Sequence, residues 1–405
     1  MNIWLISKYA SPPQYSKMPS RLFHLAKEMG SHDNEMLLLT SDSNHFSSYP
    51  KTGSNYNDEV VEGVHIRWLK TFKYYKTNSI RRIISWFDFE FKLFRMRTNN
   101  LIKPDVIHVS SLSIFTIIYG YYLKKKFNSF LVFEIRDIWP LTMTEEGGFS
   151  RFHPLVLLIG LVEKFGYRRS DLIVGTMPNL KEHVLDRIGV DKPFFCLPIG
   201  FNENDYDNKQ LTSGDSKVNA EADGKTVIGY AGSFGITNAL ETLISTIKLM
   251  KENTNVLFLL VGSGDLKDKY KADLEQYQNV VFLDRMAQKD VKYFLSSCDI
   301  LYLSTKSSKV WKYGQSMNKV VEYMLAAKPI VASYNGYPSM INEAGCGSFV
   351  VNADCIELKN VFLTYVNMSK EERLAVGLRG RKWIYENRSY RKLAATYLNV
   401  LKSYS

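Results

Sequence analysis

The stretch Lys312-Tyr313-Gly314-Gln315-Ser316-Met317-Asn318-Lys319-Val320-Val321-Glu322-Tyr323-Met324-Leu325-Ala326-Ala327-Lys328-Pro329-Ile330-Val331 holds a glycine-containing loop, one amphipathic helix and, after Lys-Pro, a strand. Ser316 is a candidate N-cap. A helix that starts after a glycine turn offers unpaired backbone N–H groups and the positive end of its dipole. Such a terminus suits a diphosphate, and Lys319 in the first turn adds a full positive charge. Glu322 lies where a carboxylate can accept hydrogen bonds from a pair of sugar hydroxyls. An ordinary capped helix with a solvated Glu and Lys is the alternative this segment leaves open.

Outward from this segment, short apolar runs alternate with helical patterns. Strands are expected at Ile3–Ser7, Met36–Thr40, Val64–Leu69, Val106–Val109, Phe130–Ile135, Leu172–Thr176 and Phe194–Pro198, with helices between them at Ser20–Met29, Ile80–Asn99, Leu112–Lys126, His153–Tyr167 and Met177–Ile188. The polar run Asn204–Lys225 breaks the pattern and reads as a linker or long loop. Alternation resumes with Thr226–Ala231, Val256–Val261, Val280–Leu283, Ile300–Ser304 and Ile330–Ser333 as strands. Strands alternating with helices argue for parallel sheets. The expectation is an α/β chain of two Rossmann-like domains facing a cleft: 1–205, a linker at 206–224, 225–380, and terminal helices at 381–405 that return to the first domain. Ligands of open α/β sheets bind at the carboxyl ends of the strands.

The formal charge is +11 and the pI about 9.2. The excess is scattered over both halves, and no RNA-binding motif accompanies the 25 Tyr and 23 Phe, so nucleic acid is not an expected partner. Cys196, Cys298, Cys346 and Cys355 form no C-x-x-C pair and have no His at ligand spacing, which disfavours a zinc site or disulfide framework and fits a reducing compartment. The run from Val106 to Leu123 is uncharged but carries His108, Ser, Thr and Gly120, and splits into a strand and a helix rather than a membrane span. Met1–Lys8 is too short an apolar run for a signal peptide. A cytoplasmic protein is expected, peripheral on the inner face of the plasma membrane.

Two further strand-end turns carry glycine: Tyr230-Ala231-Gly232-Ser233-Phe234-Gly235-Ile236-Thr237-Asn238, and Gly262-Ser263-Gly264. Glycine there lets backbone approach a ligand closely. The Gly-x-x-Gly spacing is not the dinucleotide fingerprint and no acidic residue follows at ribose distance, which disfavours a dehydrogenase.

Taken in order, these segments resemble family 4 of the retaining glycosyltransferases, which has the GT-B fold. The matching stretches are Tyr230–Gly232 with Gly235, Leu240–Ile244, Leu260–Gly264, Asn279–Leu283, Cys298–Ile300 and Asn318–Val331. In the first half Glu134-Ile135-Arg136-Asp137-Ile138-Trp139-Pro140 is similar to a run of WbuB-like bacterial surface-polysaccharide transferases, with Pro104–Val109 and Leu197–Asn202 matching as well. The resemblance implies a nucleotide-sugar donor on the second domain, held by Gly232, Ser233, Gly235, Asn238, Gly262, Arg285, Met286, Ser316, Met317, Asn318, Lys319 and Glu322. It implies an acceptor on the first domain, near Ser16, Lys17, Arg21 and Glu134, and catalytic roles for Arg136, Asp137 and Glu322. Two departures matter. The first carboxylate of the family's Glu-x7-Glu motif falls on Gly314, so this chain reads its sugar differently. The usual Gly-Gly pair is replaced in the loop Ala10–Arg21.

Glycosyl transfer passes through an oxocarbenium-like state while a diphosphate leaves, so positive groups must face the leaving group. Asp205-Tyr206-Asp207 spells a metal-binding string, but it borders the polar linker. The expected stabilisers are instead the helix start at Ser316–Lys319, the N–H groups around Gly232–Gly235, and Lys319, with no metal and no other cofactor. The helix Ile80–Arg97 is apolar beyond one stripe. Core packing and docking on an anionic membrane through Arg81, Arg82, Trp86 and Phe89 are both open. Docking there, joined by Leu155–Ile159 with Arg168 and Arg169, would suit a polyprenyl-diphosphate-linked glycan acceptor. The leading expectation is transfer of a UDP-N-acetylated sugar in O-antigen or capsule synthesis. A nonhydrolysing nucleotide-sugar epimerase and a degenerate glycan- or lipid-binding subunit are the alternatives.

Overall fold

Parallel strands covered on both faces must be apolar throughout, and the runs Trp4–Ile6, Val106–Val109, Leu131–Ile135 and Val256–Val261 are buried along their length. The computed structural model describes residues 1–16, 20–44, 52–74, 79–111, 113–206, 224–351 and 354–404. The chain divides into two units. Met1–Asn202 and Arg388–Ser405 form the first, and Glu203–Asn387 the second. Of the expected linker, residues 207–223 lie outside the described residues.

The first unit runs β1 Asn2–Ile6, α1 Arg21–Gly30, β2 Glu35–Ser41, β3 Tyr56–Val61, β4 Val64–Leu69, α2 Ile80–Arg95, β5 Val106–Ser110, α3 Thr116–Phe127, β6 Phe130–Ile135, α4 Leu141–Glu145, α5 Pro154–Arg169, β7 Leu172–Gly175, α6 Leu180–Ile188 and β8 Phe194–Cys196. Its sheet has the order β3-β4-β2-β1-β5-β6-β7-β8, parallel except for β3 against β4. Strand β3 was not legible as a strand because Tyr-Asn-Asp-Glu-Val-Val is mostly polar. The signal that could have found it is Glu62-Gly63, whose two positive φ angles (46° and 82°) make the tight hairpin turn into β4.

The second unit runs β9 Thr226–Ala231, α7 Glu241–Leu249, β10 Val256–Val261, α8 Lys267–Asp273, β11 Val280–Leu283, α9 Gln288–Ser297, β12 Ile300–Ser304, α10 Asn318–Leu325, β13 Ile330–Ser333, α11 Met340–Ala344, β14 Gly347–Val350, α12 Cys355–Val366 and α13 Lys370–Asn387. Its all-parallel sheet is ordered β11-β10-β9-β12-β13-β14. Direction of growth reverses between β9 and β12, and a crevice at their carboxyl ends is where such a sheet takes a ligand.

The last helix, α14 Tyr390–Lys402, belongs to the first unit. Its entry is stitched by backbone: Phe201 N–H donates to Arg388 C=O at 3.1 Å and Tyr390 N–H to Phe201 C=O at 3.0 Å. A Cβ on Gly200 would stand 2.4 Å from Arg388 O, so glycine permits this approach. Tyr390, Leu393, Ala394, Tyr397, Leu398 and Leu401 then complete the core with α1 and β1.

Helix α2 corrects the expected membrane face. Trp86 and Phe89 are buried, Phe89 fully (0% exposed), whereas Ile80, Ile84, Phe87, Phe91 (56%) and Phe94 face solvent. The inversion has a polar cause. Buried Glu90 accepts from Ser113 Oγ at 2.9 Å and Thr116 Oγ1 at 2.5 Å, and Lys8 Nζ donates to Ser85 Oγ at 2.9 Å. The α2 face that looks polar in sequence is therefore satisfied inside, and Trp86 Nε1 donates to Tyr9 Oη at 2.5 Å beside it. Arg81 is exposed, and Arg82 lies over the Trp86 ring at 5.3 Å.

Helix α14 predicts a measurable outcome. Leu398→Ala should destabilise the first unit by about 2–5 kcal/mol, the usual cost of a buried Leu truncation. The exposed Leu374→Ala should change stability by less than about 0.5 kcal/mol. Urea unfolding of both variants checks this; equal midpoints would mean that α14 is not part of that core.

Candidate functional site

At the reversal point of the second sheet, three loops meet because glycine lets them. Gly262 has φ +147°, and a Cβ there would sit 1.8 Å from Gly232 O, so only glycine allows the β10 end to lie against the β9 end. The contact is fixed by Gly232 N–H to Val261 C=O and Phe234 N–H to Ser263 C=O, both 3.0 Å. Lys267 Nζ ties a third strand end in, donating to Gly262 C=O at 2.9 Å, Leu283 C=O at 2.8 Å and Asp284 Oδ1 at 2.9 Å. Two of the N–H groups expected to face a diphosphate are thus used internally; among the described residues those of Ser233 and Gly235 have no hydrogen-bond partner.

Helix α10 docks on the same strand end. Tyr323 Oη accepts from Ala231 N–H at 3.1 Å. One turn earlier Lys319 passes over Gly232, where a Cβ would lie 2.4 Å from Nζ. Its ammonium rests 4.5 Å from the Tyr230 ring centroid and 3.4 Å from both Tyr230 Oη and Asn238 Oδ1. Burial pushes its pKa down to about 8, against Glu322, which raises it. Burial likewise raises the Glu322 carboxyl, opposed by Lys319 and by a hydrogen bond from Gln288. Among the described residues Lys319 has no carboxylate within ion-pair distance. Asn238 is held in place by its own C=O, which accepts from Ser304 Oγ at the end of β12.

The helix start differs from the expected one. Met317, not Ser316, is the N-cap, and no side chain caps it. Ser316 Oγ and both amide atoms of Gln315, which is only 6% exposed, are buried without a hydrogen-bond partner. Gly314 has φ +107°, a backbone state that L-residues rarely adopt. Asn318, Lys319 and Glu322 share α10, while Arg285, exposed, and Met286, half-buried, follow β11.

In the first unit the remaining candidates divide. Arg21 and Glu134 are buried and consume each other: Nη1 to Oε1 is 2.6 Å, and Arg21 also donates to Leu197 C=O at 2.6 Å and Pro198 C=O at 3.3 Å. His108 lies between Glu134 Oε2 (3.5 Å) and Tyr397 Oη (2.7 Å). Arg21, His108 and Arg136 hold the Glu134 carboxyl well below its usual range, although burial works the other way. This cluster fastens α1, β5, β6 and α14, and neither Arg21 nor Glu134 is free to touch an acceptor. Arg136 is half-buried with its N–H on Ser111 Oγ at 3.1 Å, and Asp137 is exposed. Ser16 follows a short 3-10 turn, and Lys17 lies outside the described residues. Sequence reading missed Lys8, which looks like a solvated residue after β1. It is fully buried, and burial pushes it down to about 7. Its position directly after a buried strand is the signal available. Asp205 sits in the 3-10 turn Glu203–Tyr206 and Asp207 lies outside the described residues. Among the described residues no group of His, Cys, Asp or Glu is placed to hold a metal.

Comparison with known proteins bears on this geometry. Residues 225–366 match the family model described as glycosyl transferases group 1. No curated protein matches the chain significantly. Solved structures align over nearly its full length. Sucrose-phosphate synthase from Thermosynechococcus elongatus has TM-score 0.68 and 15% identity, covering 99% of this chain and 98% of its own. An E. coli trehalose-6-phosphate structure bound with UDP-2-fluoro glucose has TM-score 0.72 and 13% identity, covering 99% of each. Anabaena HepE in complex with UDP and glucose has TM-score 0.64 and 14% identity, covering 100% of each. The two parallel-sheet, Rossmann-like units match these GT-B structures, and at such identities the likeness is one of fold.

The depressed Lys319 pKa sets a pH dependence. The unfolded value is about 10.4, so the folded lysine is charged below about 8 and neutral above it. Affinity for UDP, whose diphosphate is already fully ionised there, should fall as pH rises through about 8. At pH 8.5 binding should take up a proton, and Lys319→Met should remove both effects. Calorimetry in buffers of different ionisation enthalpy measures the uptake; a flat affinity profile with no uptake would contradict the placement of the charge.

Proposed function

We propose that this chain, whose residues 225–366 match the group 1 glycosyltransferase model, is a retaining glycosyltransferase. It moves a sugar from a UDP-sugar to a lipid-diphosphate-linked glycan. The observation that carries the reading is the half-buried Lys319 ammonium at the start of α10, aligned with the β9–β12 reversal point and, among the described residues, without a carboxylate at ion-pair distance. A diphosphate there meets Lys319, the first N–H groups of α10 and the positive end of its dipole. Glu322, one turn further, accepts from the ribose hydroxyls. As the C–O bond to the diphosphate breaks, negative charge grows on the leaving oxygen, and these groups stabilise it without reorganising. The acceptor hydroxyl attacks from the leaving-group face and passes its proton to a donor phosphate oxygen, so configuration is retained without an enzyme nucleophile. Arg136 and Asp137, after β6, serve the acceptor.

UDP is favoured by the nucleotide held in two of the structures sharing this fold. An N-acetylated sugar is favoured by the resemblance of Glu134–Pro140. In place of a carboxylate at Gly314, the unpaired amide of Gln315 and hydroxyl of Ser316 read the sugar. A lipid-linked acceptor is supported by the apolar, cation-flanked outer face of α2, where Ile84, Phe87, Phe91 and Phe94 stand beside Arg81 and Arg95. Among the described residues no helix is long and apolar enough to cross a membrane, so contact with an anionic bilayer is peripheral.

Three outcomes test the reading. Charge-assisted hydrogen bonds contribute about 1.5–3 kcal/mol each, so Glu322→Ala should weaken UDP binding at least about tenfold, with Glu322→Gln losing less. Gly314→Glu should impair transfer, since it forces a bulky side chain onto a φ of +107°. Calorimetry and turnover with a panel of nucleotide sugars check both, and parent-like behaviour of Glu322→Ala would overturn the donor placement. Transfer should also persist in EDTA. Complete loss with rescue by Mn²⁺ or Mg²⁺ would replace the lysine and helix terminus by a metal.

A further inference from the structure

Helices α2, α3 and α5 lie side by side on the first sheet, with Phe94 against Tyr122 at 5.6 Å and Tyr121 against Phe165 at 5.3 Å. At the α5 end of this layer a groove of about 370 Å³ opens between α5 and the start of α4. Its walls are Pro140, Leu141, Val156 and Leu161, with Gly160 as floor and Arg151, Lys164 and Arg187 on the rim. Gly160 keeps the floor open. A Cβ there would come within 3.3 Å of Arg187 Nη2 and 3.7 Å of Pro140 Cγ. Arg187 is anchored from below by the buried Glu163, Nε to Oε2 at 2.7 Å, and Glu163 also meets His183 Nε2 at 2.8 Å. The charge of Arg187 is thereby compensated. Arg151 and Lys164 are, among the described residues, in no ion pair, and Arg151 lies over the Phe152 ring at 5.0 Å.

We propose that this groove holds the hydrocarbon chain of a phosphate-bearing lipid, with Arg151 and Lys164 on the phosphate. The inference deepens the lipid-linked acceptor reading above and rests on it. Three observations favour this occupant. The walls offer almost no hydrogen-bonding group; a peptide would bury its backbone there unpaired at high cost, whereas a hydrocarbon has nothing to satisfy. Among the described residues no acidic side chain lines the groove, and two cations without an ion pair on its rim complement a phosphate. The groove is also continuous with exposed apolar side chains, Leu157, Leu161 (67% exposed) and Phe152 (72%), which would face the acyl boundary of a bilayer with the cations at headgroup level. The volume falls within the range of small-ligand sites.

Photolabelling of the full chain tests this, with a farnesyl phosphate bearing a diazirine on its chain and the adducts mapped by mass spectrometry. Adducts should fall within 140–161. Farnesyl phosphate should compete at least tenfold better than farnesol or inorganic phosphate. Gly160→Phe, which fills the floor, should cut labelling at least tenfold while UDP binding to the second unit is unchanged. Should Gly160→Phe not fold, Leu161→Asp on the exposed wall carries the same expectation. Adducts elsewhere, labelling indifferent to the folded variants, or competition by inorganic phosphate alone would overturn the groove. Transfer to lipid-linked acceptor that stays at parent level in the filled variant would sink the groove and leave the acceptor reading intact. Transfer by the parent to water-soluble glycans only would sink the reading on which it rests.

Discussion

A half-buried ammonium that, among the described residues, has no carboxylate within ion-pair distance is the constraint on which the second unit depends. Removing a charge from water is costly unless a counter-charge and hydrogen bonds replace the solvent. Among the described residues Lys319 contacts the Tyr230 ring face, Tyr230 Oη and Asn238 Oδ1, with the Glu322 charge acting from further off. These suffice to hold the side chain in one direction but not to neutralise it. Its pKa is depressed for that reason, and an anion at the α10 terminus is what would restore it.

Everything around Lys319 serves to bring it there. Gly232 leaves the space through which it passes, and Gly262 allows the β10 end to lie against Gly232. Tyr323 fixes the distance of α10 from β9. Ser304 fixes Asn238. Lys267 locks three strand ends with a cation whose hydrogen bonds are all made. The two lysines show how similar residues diverge: one is satisfied and structural, the other is left short of partners. In the first unit the Arg21–Glu134–His108–Tyr397 cluster resembles Lys267 in this respect, spending its charges on joining α14 to the sheet.

Alternation of apolar runs made both parallel sheets legible, because buried parallel strands leave little else for a run such as Val256–Val261 to be. The turn glycines and the helix bearing Lys319 and Glu322 were legible for the same reason: strand ends in open sheets are where backbone must approach a ligand. Other features depended on partners distant in sequence. The face of α2 stayed open between core and membrane because Glu90 is buried through Ser113 and Thr116, and no local pattern announces that a carboxylate will be satisfied from another helix. Ser316 looked like a cap by residue type, but the chain enters α10 one residue later. Arg21 and Glu134 looked available because their mutual contact spans 113 residues.

The most direct test of the account is a crystal structure of the chain with bound UDP. It should place the diphosphate against Lys319 Nζ and the first N–H groups of α10, with the ribose hydroxyls on Glu322. A nucleotide bound at any other strand end, with Lys319 still resting only on Tyr230 and Asn238, would contradict it.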